Sequence, residues 1–286
     1  MRNDPNLAYS KLRENPRNVL WWLFHRVTAS LRATPNFLIV GAQKGGTSSL
    51  YAYIAQHPDV LPAFRKEIKF FDCNYFCGYP WYLAHFPLRG KLQHGPHITG
   101  EGTPNYLFHP TALQRLALML PQVKILILLR NPAERAYSHY QHQKRVGHEM
   151  LSFEDAIASE TERLAGEAER IAADYRYPQA NYIAHSYLAS GRYIEQIPKV
   201  FRLFPRENVM ILRSSQLYQE TPTTYASVIN FLGLRPWQPP AYRVFKEGKY
   251  PPMKAETRQA LSRYFKPYNQ ALYDYLGQEL GWESAL

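Results

Sequence analysis

Residues 41–49 form the densest group of anion-binding residue types in the chain. They read Gly-Ala-Gln-Lys-Gly-Gly-Thr-Ser-Ser and follow a short aliphatic run. Glycines let backbone N–H groups approach an anion closely, and the N-terminus of a following helix adds partial positive charge and unpaired donors. The pattern predicts a phosphate loop, with a ligand-free glycine turn as the alternative. Its predicted ligands are Lys44, Gly45, Gly46, Thr47, Ser48 and Ser49.

This loop differs from the Walker A loop of nucleotide kinases. A Walker A loop has Lys and then Ser or Thr directly after its last glycine, whereas Thr47 follows Gly46 here and Lys44 comes earlier. The second aliphatic segment, 123–129, ends in Arg130 and not in the aspartate that holds Mg²⁺ in P-loop NTPases. The pattern therefore predicts phosphate binding without a metal ion.

A second anion site is predicted where segment 123–129 ends. Arg130 offers a guanidinium fork, and Ser138 offers a hydroxyl further along the next helix. The alternative is that Arg130 only pairs with a carboxylate such as Glu134. Two anion sites at the ends of two adjacent strands suit a nucleotide with phosphates on both sides of its ribose.

The elements that position these sites alternate between strand and helix. Aliphatic runs predict strands at 37–40, 98–100, 123–129 and 209–212, and the run at 123–129 is typical of a parallel strand covered on both faces. Helices are predicted at 47–56, 110–120, 133–145, 153–164, 193–203, 223–232 and 257–276. We expect one α/β domain over 36–286, with a central, mostly parallel sheet flanked by helices.

The composition is globular and strongly basic. Of 286 residues, 45% are hydrophobic and 20% are charged, and 34 Lys and Arg outnumber 23 Asp and Glu by 11. This excess favours an anionic partner without choosing one, so two alternatives stay open. They are a P-loop-type nucleotide kinase and a basic polyanion- or nucleic-acid-binding protein with a vestigial nucleotide site. The two cysteines, Cys73 and Cys77, are expected to be structural thiols.

Residues 1–35 form a basic, aromatic N-terminal extension. Apolar residues recur in it at helical spacing: Leu20, Leu23, Phe24, Val27 and Leu31. We expect a helix that packs onto the main domain; the alternative is peripheral membrane contact through residues 17–32. The sequence shows no run long enough to span a bilayer and no signal-peptide cleavage pattern, which predicts a cytoplasmic protein.

Five segments, in order, resemble motifs of the sulfotransferases that use 3′-phosphoadenylyl sulfate (PAPS). Residues 37–49 resemble their 5′-phosphosulfate loop, and 124–140 resemble their 3′-phosphate motif. Residues 66–72 (Lys-Glu-Ile-Lys-Phe-Phe-Asp) and 100–106 (Gly-Glu-Gly-Thr-Pro-Asn-Tyr) are similar to segments of the carbohydrate branch, especially the heparan sulfate sulfotransferases. Residues 248–252 resemble the loop that closes over the cofactor.

The resemblance implies a P-loop-like sulfotransferase fold and metal-independent, in-line transfer of a sulfuryl group from PAPS, leaving PAP. It implies Glu67 as the general base, with a salt bridge to Lys66 or Lys69 as the alternative role. Lys44 would stabilise charge on the transferring group. The cofactor site would also include Gly248, Lys249 and Tyr250. The acceptor would be a hydroxyl or amine, most simply of a sugar; a lipid, a polyketide or a small glycoside stays open.

Three features depart from the heparan sulfate enzymes. Gly102 replaces the family's lysine between Glu and Thr-Pro, and we expect Lys69 to compensate because an extended segment would put it on the same side as Glu67. Thr103 is expected to join Lys69 in binding the acceptor. The family's cysteine-bridged loop is absent between Tyr242 and Gly248, and the Golgi-type anchor is missing, which predicts a soluble, bacterial-type enzyme.

Overall fold

The computed structural model describes residues 24–93, 95–243 and 250–282, built on a four-stranded parallel sheet. The strands are β1 (Phe37–Gly41), β2 (Gly100–Gly102), β3 (Lys124–Leu129) and β4 (Val209–Arg213), in the order β2-β1-β3-β4. All neighbouring pairs run parallel, so the carboxyl ends of all four strands meet at one edge. The predicted α/β class is confirmed.

Thirteen helices are described around this sheet. In chain order they are α1 (Thr47–Ile54), α2 (Tyr79–Leu83), α3 (Arg89–Gln93), α4 (Ala112–Met119), α5 (Pro132–Arg145), α6 (Phe153–Ala158), α7 (Glu160–Leu164), α8 (Glu167–Ala173), α9 (Ala180–His185), α10 (Ile197–Leu203), α11 (Ser214–Gln219), α12 (Thr221–Leu232) and α13 (Ala255–Leu276). They cover both sheet faces, as the aliphatic strands require.

Alternate residues of the central strands enter two separate hydrophobic cores. In β1, Leu38 and Val40 face a core shared with α2, α4, α10 and α13, whereas Phe37 and Ile39 face a core shared with α1, α11 and α12. The residues of β3 alternate in the same way. The two central strands, β1 and β3, are therefore packed by helices on both faces.

Two predicted helices are interrupted and one predicted strand is displaced. The segment 153–164 divides into α6 and α7, and 193–203 is a 3₁₀ helix, Tyr193–Glu195, followed by α10. Pro198 lies in the first turn of α10, where a missing N–H donor is tolerated. The strand expected at 98–100 begins at Gly100 because the Asn36 side chain accepts the hydrogen bond of the Thr99 amide, 2.9 Å away.

The N-terminal extension does not pack as expected in its described part. Phe24, Val27 and Leu31 are exposed by 54%, 78% and 62%, so the expected packing face is wrong for these three residues. Leu20 and Leu23 lie outside the described residues. Besides Ala29 and Ala33, two polar side chains are buried: His25 Nδ1 lies 2.9 Å from Ala84 O, and Arg32 Nη1 donates to Phe86 O at 2.7 Å. Membrane contact through residues 17–32 stays a prediction.

Candidate functional site

The phosphate loop leaves β1 through an irregularity in the sheet register between Ile39 and Gly41. The Ala42 amide still donates to Leu128 O on β3 at 2.8 Å, and the Gly45 amide donates back to Ala42 O at 2.9 Å. A Cβ at Gly45 would lie 2.5 Å from Leu128 O, closer than any side chain tolerates. The loop is therefore a tight cradle that only glycine at position 45 permits.

Helix α1 begins at this cradle, and the free N–H groups of its first turn point out of the N-terminal end of the helix. Gly46, with φ of +100°, precedes the helix, and no described side chain caps its first turn. The hydroxyls of Thr47 and Ser48 stand in the same turn. Uncapped amides, glycine backbone and hydroxyls are the donor set that a phosphate needs, so the predicted loop residues fit the 5′-phosphosulfate of PAPS.

Arg130 connects the two predicted anion sites. Its Nη1 lies 3.4 Å from Lys44 O in the phosphate loop. Its Nη2 lies 3.8 Å from Glu134 Oε2, beyond hydrogen-bond length, while Arg258 donates to the other Glu134 oxygen. Glu134 is thus held mainly by Arg258, which favours the anion-binding role of Arg130 over its pairing role.

Tyr250 contacts α5 at Tyr137, the residue that precedes Ser138. Ser138 is buried on this helix. The Tyr250 ring packs edge-on against Tyr137 at 5.6 Å, and Tyr137 Oη donates to Pro251 O at 2.9 Å. The end of the predicted cofactor-covering segment is therefore attached to α5 through Tyr137; Gly248 and Lys249 lie outside the described residues.

Glu67 lies between two lysines, 27% exposed. Lys69 Nζ is 3.7 Å from Oε2, and Lys66 Nζ is 3.9 Å from Oε1. Lys66 Nζ is also 3.4 Å from Ser48 Oγ, which links the Glu67 segment to the phosphate loop. The extended geometry expected at Lys69 is wrong, since its φ is +57°, but its contact with Glu67 is present.

Glu101 has a fully buried carboxyl, which is connected to the Glu67 segment through Thr103. Its oxygens accept hydrogen bonds from Thr103 Oγ1 at 2.7 Å and Tyr106 Oη at 3.0 Å. Thr103 Oγ1 in turn accepts from the Lys69 amide at 3.2 Å. A buried hydroxyl with these two partners gives Thr103 a positioning role, and its contact with an acceptor stays a prediction.

The buried Glu101 predicts a pH dependence of stability. Burial raises the pKa of the Glu101 carboxyl from 4.5 to about 7, against the opposing hydrogen bonds of Thr103 and Tyr106. The folded state therefore binds this proton more tightly than the unfolded state, so stability falls as pH rises from 4.5 to about 7. Between pH 4.5 and about 7, we expect the free energy of unfolding of Glu101→Gln to rise by on the order of 3 kcal/mol relative to that of wild type. Urea unfolding at a series of pH values measures this difference, and parallel stability curves would contradict it.

The burial of several histidines makes them weaker candidates for the base. Burial lowers the pKa of His85 to about 4 and of His109 to about 3, and His57 is buried with Nδ1 accepting from the Asp59 amide at 3.1 Å. His139 on α5 was not singled out by its sequence context. Burial, with the nearby charges of Arg135 and Lys44, holds its pKa well below the usual value.

A cleft of about 880 Å³ adjoins the carboxyl edge of the sheet. Leu107 lines it and also touches the phosphate-loop side, since a Cβ at Gly41 would lie 2.5 Å from Leu107 Cβ. The rings of Phe108 and Tyr182, both in its wall, stack 4.9 Å apart at 8°. The wall also carries charges of both signs, Arg192, Lys199, Arg202, Glu160, Glu169 and Glu195.

The two cysteines lie on the segment that follows Glu67. Both are free thiols, and burial raises the pKa of Cys73, whose Sγ lies 3.6 Å from Gln179 Oε1. Within the ranges given above, no three metal-ligating side chains converge. Across the same ranges, every helix is too short or too polar to traverse a bilayer.

Comparison with known proteins agrees with this geometry. The family described as "Sulfotransferase domain" matches residues 34–271. Human bifunctional heparan sulfate N-deacetylase/N-sulfotransferase 3 is 30% identical over an alignment of 283 positions, gaps included. The alignment covers 86% of this chain and 30% of the human protein. Membrane-associated sulfotransferase kil1 of Dictyostelium discoideum is 25% identical over an alignment of 323 positions, gaps included. That alignment covers 90% of this chain and 68% of the Dictyostelium protein.

A solved structure has the same fold. The sulfotransferase from Alicyclobacillus acidocaldarius superposes with a TM-score of 0.65 and 32% identity, over 87% of this chain and 99% of that one. The chain spans about 30% of the length of the N-deacetylase/N-sulfotransferases that it matches. The family match covers the phosphate loop, Glu67 and the segment from Arg130 to Ser138. This chain therefore belongs to the PAPS-dependent sulfotransferases.

Proposed function

We propose that this chain transfers the sulfuryl group of PAPS to a hydroxyl or amine of a sugar-containing acceptor, with Glu67 as the general base. The observation that carries the proposal is that Glu67 lies near the phosphate loop. Lys66 links the two, because its Nζ is 3.9 Å from Glu67 Oε1 and 3.4 Å from Ser48 Oγ. Bound PAPS supplies the sulfuryl group.

Each residue of the site has a distinct task in this reaction. Glu67 accepts the proton of the acceptor as the new O–S or N–S bond forms and the donor S–O bond breaks. Lys44 stabilises the charge that develops on the departing phosphate oxygen, aided by the amides of the α1 N-terminus. Arg130 and Ser138 hold the 3′-phosphate, which fixes the nucleotide in register. No residue of this scheme requires a metal ion.

We place the acceptor in the 880 Å³ cleft, which Leu107 joins to the phosphate-loop side. Phe108, which is partly exposed and stacks on the buried Tyr182, offers an apolar surface of the kind that packs on sugar rings, and mixed charges suit a polar acceptor. The heparan sulfate relatives support a sugar as the acceptor class. Because the wall carries both charge signs, its charge alone does not select a polyanion.

The proposal is tested by incubating the protein with PAPS and a panel of acceptors. The panel holds glucosamine-containing oligosaccharides, neutral glycosides, a hydroxylated lipid and a hydroxylated polyketide. Mass spectrometry then detects the added sulfuryl group. We expect sulfation of at least one sugar acceptor; sulfation confined to the lipid or polyketide would overturn the sugar assignment. Absence of PAP formation with every acceptor would count against the reaction itself.

The 3′-phosphate site gives a prediction of its own. Arg130→Ala and Ser138→Ala should weaken PAP far more than adenosine 5′-phosphosulfate, which lacks the 3′-phosphate. Losing one charge-assisted hydrogen bond should cost about tenfold or more in affinity. Calorimetric titration of both ligands measures this, with ATP–Mg²⁺ as a third ligand that we expect to bind more weakly than PAP. Equal losses for both adenosine ligands would assign the two residues to the fold, and tighter ATP–Mg²⁺ binding would favour a kinase.

A further inference from the structure

The side chain of Lys66 crosses the end of strand β2 at Gly102. A Cβ at position 102 would lie 3.2 Å from Lys66 Cε, 3.5 Å from Ile39 Cβ and 3.7 Å from a ring carbon of Tyr51. The nearest of these atoms belongs to the lysine, so a side chain at 102 would press first on the Lys66 stem. The stem is largely buried there, since the side chain of Lys66 is only 17% exposed.

The ammonium at the end of this stem lies between the phosphate loop and the candidate base. It is 3.4 Å from Ser48 Oγ and 3.9 Å from Glu67 Oε1. Ser48 stands in the first turn of α1, where helix amides favour a bound anion. A phosphate held at that hydroxyl would therefore come within a few ångströms of a positive charge in a partly buried site, where the attraction is stronger than in bulk water.

The neighbouring Lys69 is placed differently. Its ammonium contacts the other Glu67 oxygen, at 3.7 Å, and its side chain is 42% exposed. Its φ of +57° turns the chain after Glu67, and its described contacts do not include the phosphate loop. Of the two lysines beside Glu67, only Lys66 has a described contact with a residue of the loop.

We propose that Lys66 is a second cationic residue of the 5′-phosphosulfate site and that glycine at position 102 leaves room for the Lys66 stem. This inference rests on the proposed function and deepens it. The side chain at 66 enters from a segment outside the phosphate loop and brings its charge to the loop from the Glu67 side. Lys44 and Lys66 thus supply charge to the 5′ end of the nucleotide from two separate segments.

The test compares two ligands that differ only at the 5′ position. PAP carries both phosphates, whereas adenosine 3′-phosphate lacks the 5′-phosphate. Lys66→Met keeps a stem of matching length and removes the ammonium, so we expect PAP to bind about tenfold or more weakly. Adenosine 3′-phosphate should bind as it does to wild type. A residue that only supports the fold would alter both affinities together.

A second variant tests the role of Gly102. Gly102→Ala should weaken PAP by a smaller factor, because the new Cβ displaces the Lys66 stem. In a Lys66→Met background the same substitution should cause no further loss, since the ammonium is already gone. Equal, additive losses in both backgrounds would show that Gly102 acts independently of Lys66. Gly102→Ala alone should leave adenosine 3′-phosphate affinity unchanged, and this comparison keeps the inference testable if Lys66→Met folds poorly.

The controls separate failure of the inference from failure of the proposed function. Lys91→Met removes one exposed charge on α3, remote in sequence from every site residue, and should leave both affinities unchanged. Wild-type protein that does not bind PAP would overturn the proposed function. Wild-type protein that binds PAP, with Lys66→Met losing neither ligand or both equally, would overturn the role of Lys66 alone.

Discussion

Glu67→Gln is expected to lower kcat by about 10²–10⁴-fold while leaving PAP affinity nearly intact. The amide keeps the shape of the side chain and can still accept hydrogen bonds, but it cannot take the acceptor proton as a carboxylate does. PAP contains no group that needs this proton transfer, so its binding should be insensitive to the change. Formation of PAP from PAPS, measured with any acceptor that the panel identifies, gives kcat directly.

The control for this variant is calorimetric titration of PAP on the same preparation. Retained PAP affinity with lost turnover locates the defect in the chemical step. Full kcat in Glu67→Gln would remove Glu67 from the mechanism and direct the search for the base to a histidine. Excess EDTA should leave wild-type turnover unchanged, because Arg130 occupies the position after β3 where P-loop NTPases hold Mg²⁺ through an aspartate.

The parallel sheet was predictable because its strands carry strong, local signals. Runs of aliphatic residues marked β1 and β3, and the glycines after β1 marked the turn into α1. The two anion sites then followed from a general property of parallel sheets, in which the carboxyl ends of strands share one edge. Each of these inferences needed only neighbouring residues in the sequence.

Contacts between distant segments were not predictable in this way. Nothing in the spacing of Lys66 indicates that its stem passes Gly102 or that its ammonium lies near Ser48, because these residues meet only through the packing of three segments. The segment from Glu67 to Lys69 is not extended as expected, because Lys69 has a φ of +57°. The predicted packing of the N-terminal extension was wrong for a related reason. Helical spacing identifies an apolar face but does not say whether another part of the protein covers that face.

Lys44 is expected to be the most damaging single position in the cofactor site. Its carbonyl accepts from Arg130 at 3.4 Å, and its charge lowers the pKa of His139, so it stands between the phosphate loop, Arg130 and α5. Lys44→Met should weaken PAP by about tenfold, since one charged contact is lost from the ground state. It should also lower kcat by a further factor of about 10²–10³, because the same charge opposes the one that develops in the transition state.

The two effects of Lys44→Met separate only if binding and turnover are measured on the same protein. Titration with PAP gives the ground-state loss, and kcat at saturating PAPS gives the loss that remains once binding is complete. Lys69→Met is the matched control for binding, because its ammonium lies beside Glu67 and its described contacts leave the phosphate loop out; PAP affinity should not change. Its acceptor KM should rise if Lys69 binds the acceptor. If Lys44→Met weakened PAP but kept full kcat, Lys44 would serve only to hold the nucleotide, and the charge on the departing oxygen would have to be stabilised by the α1 amides and Lys66.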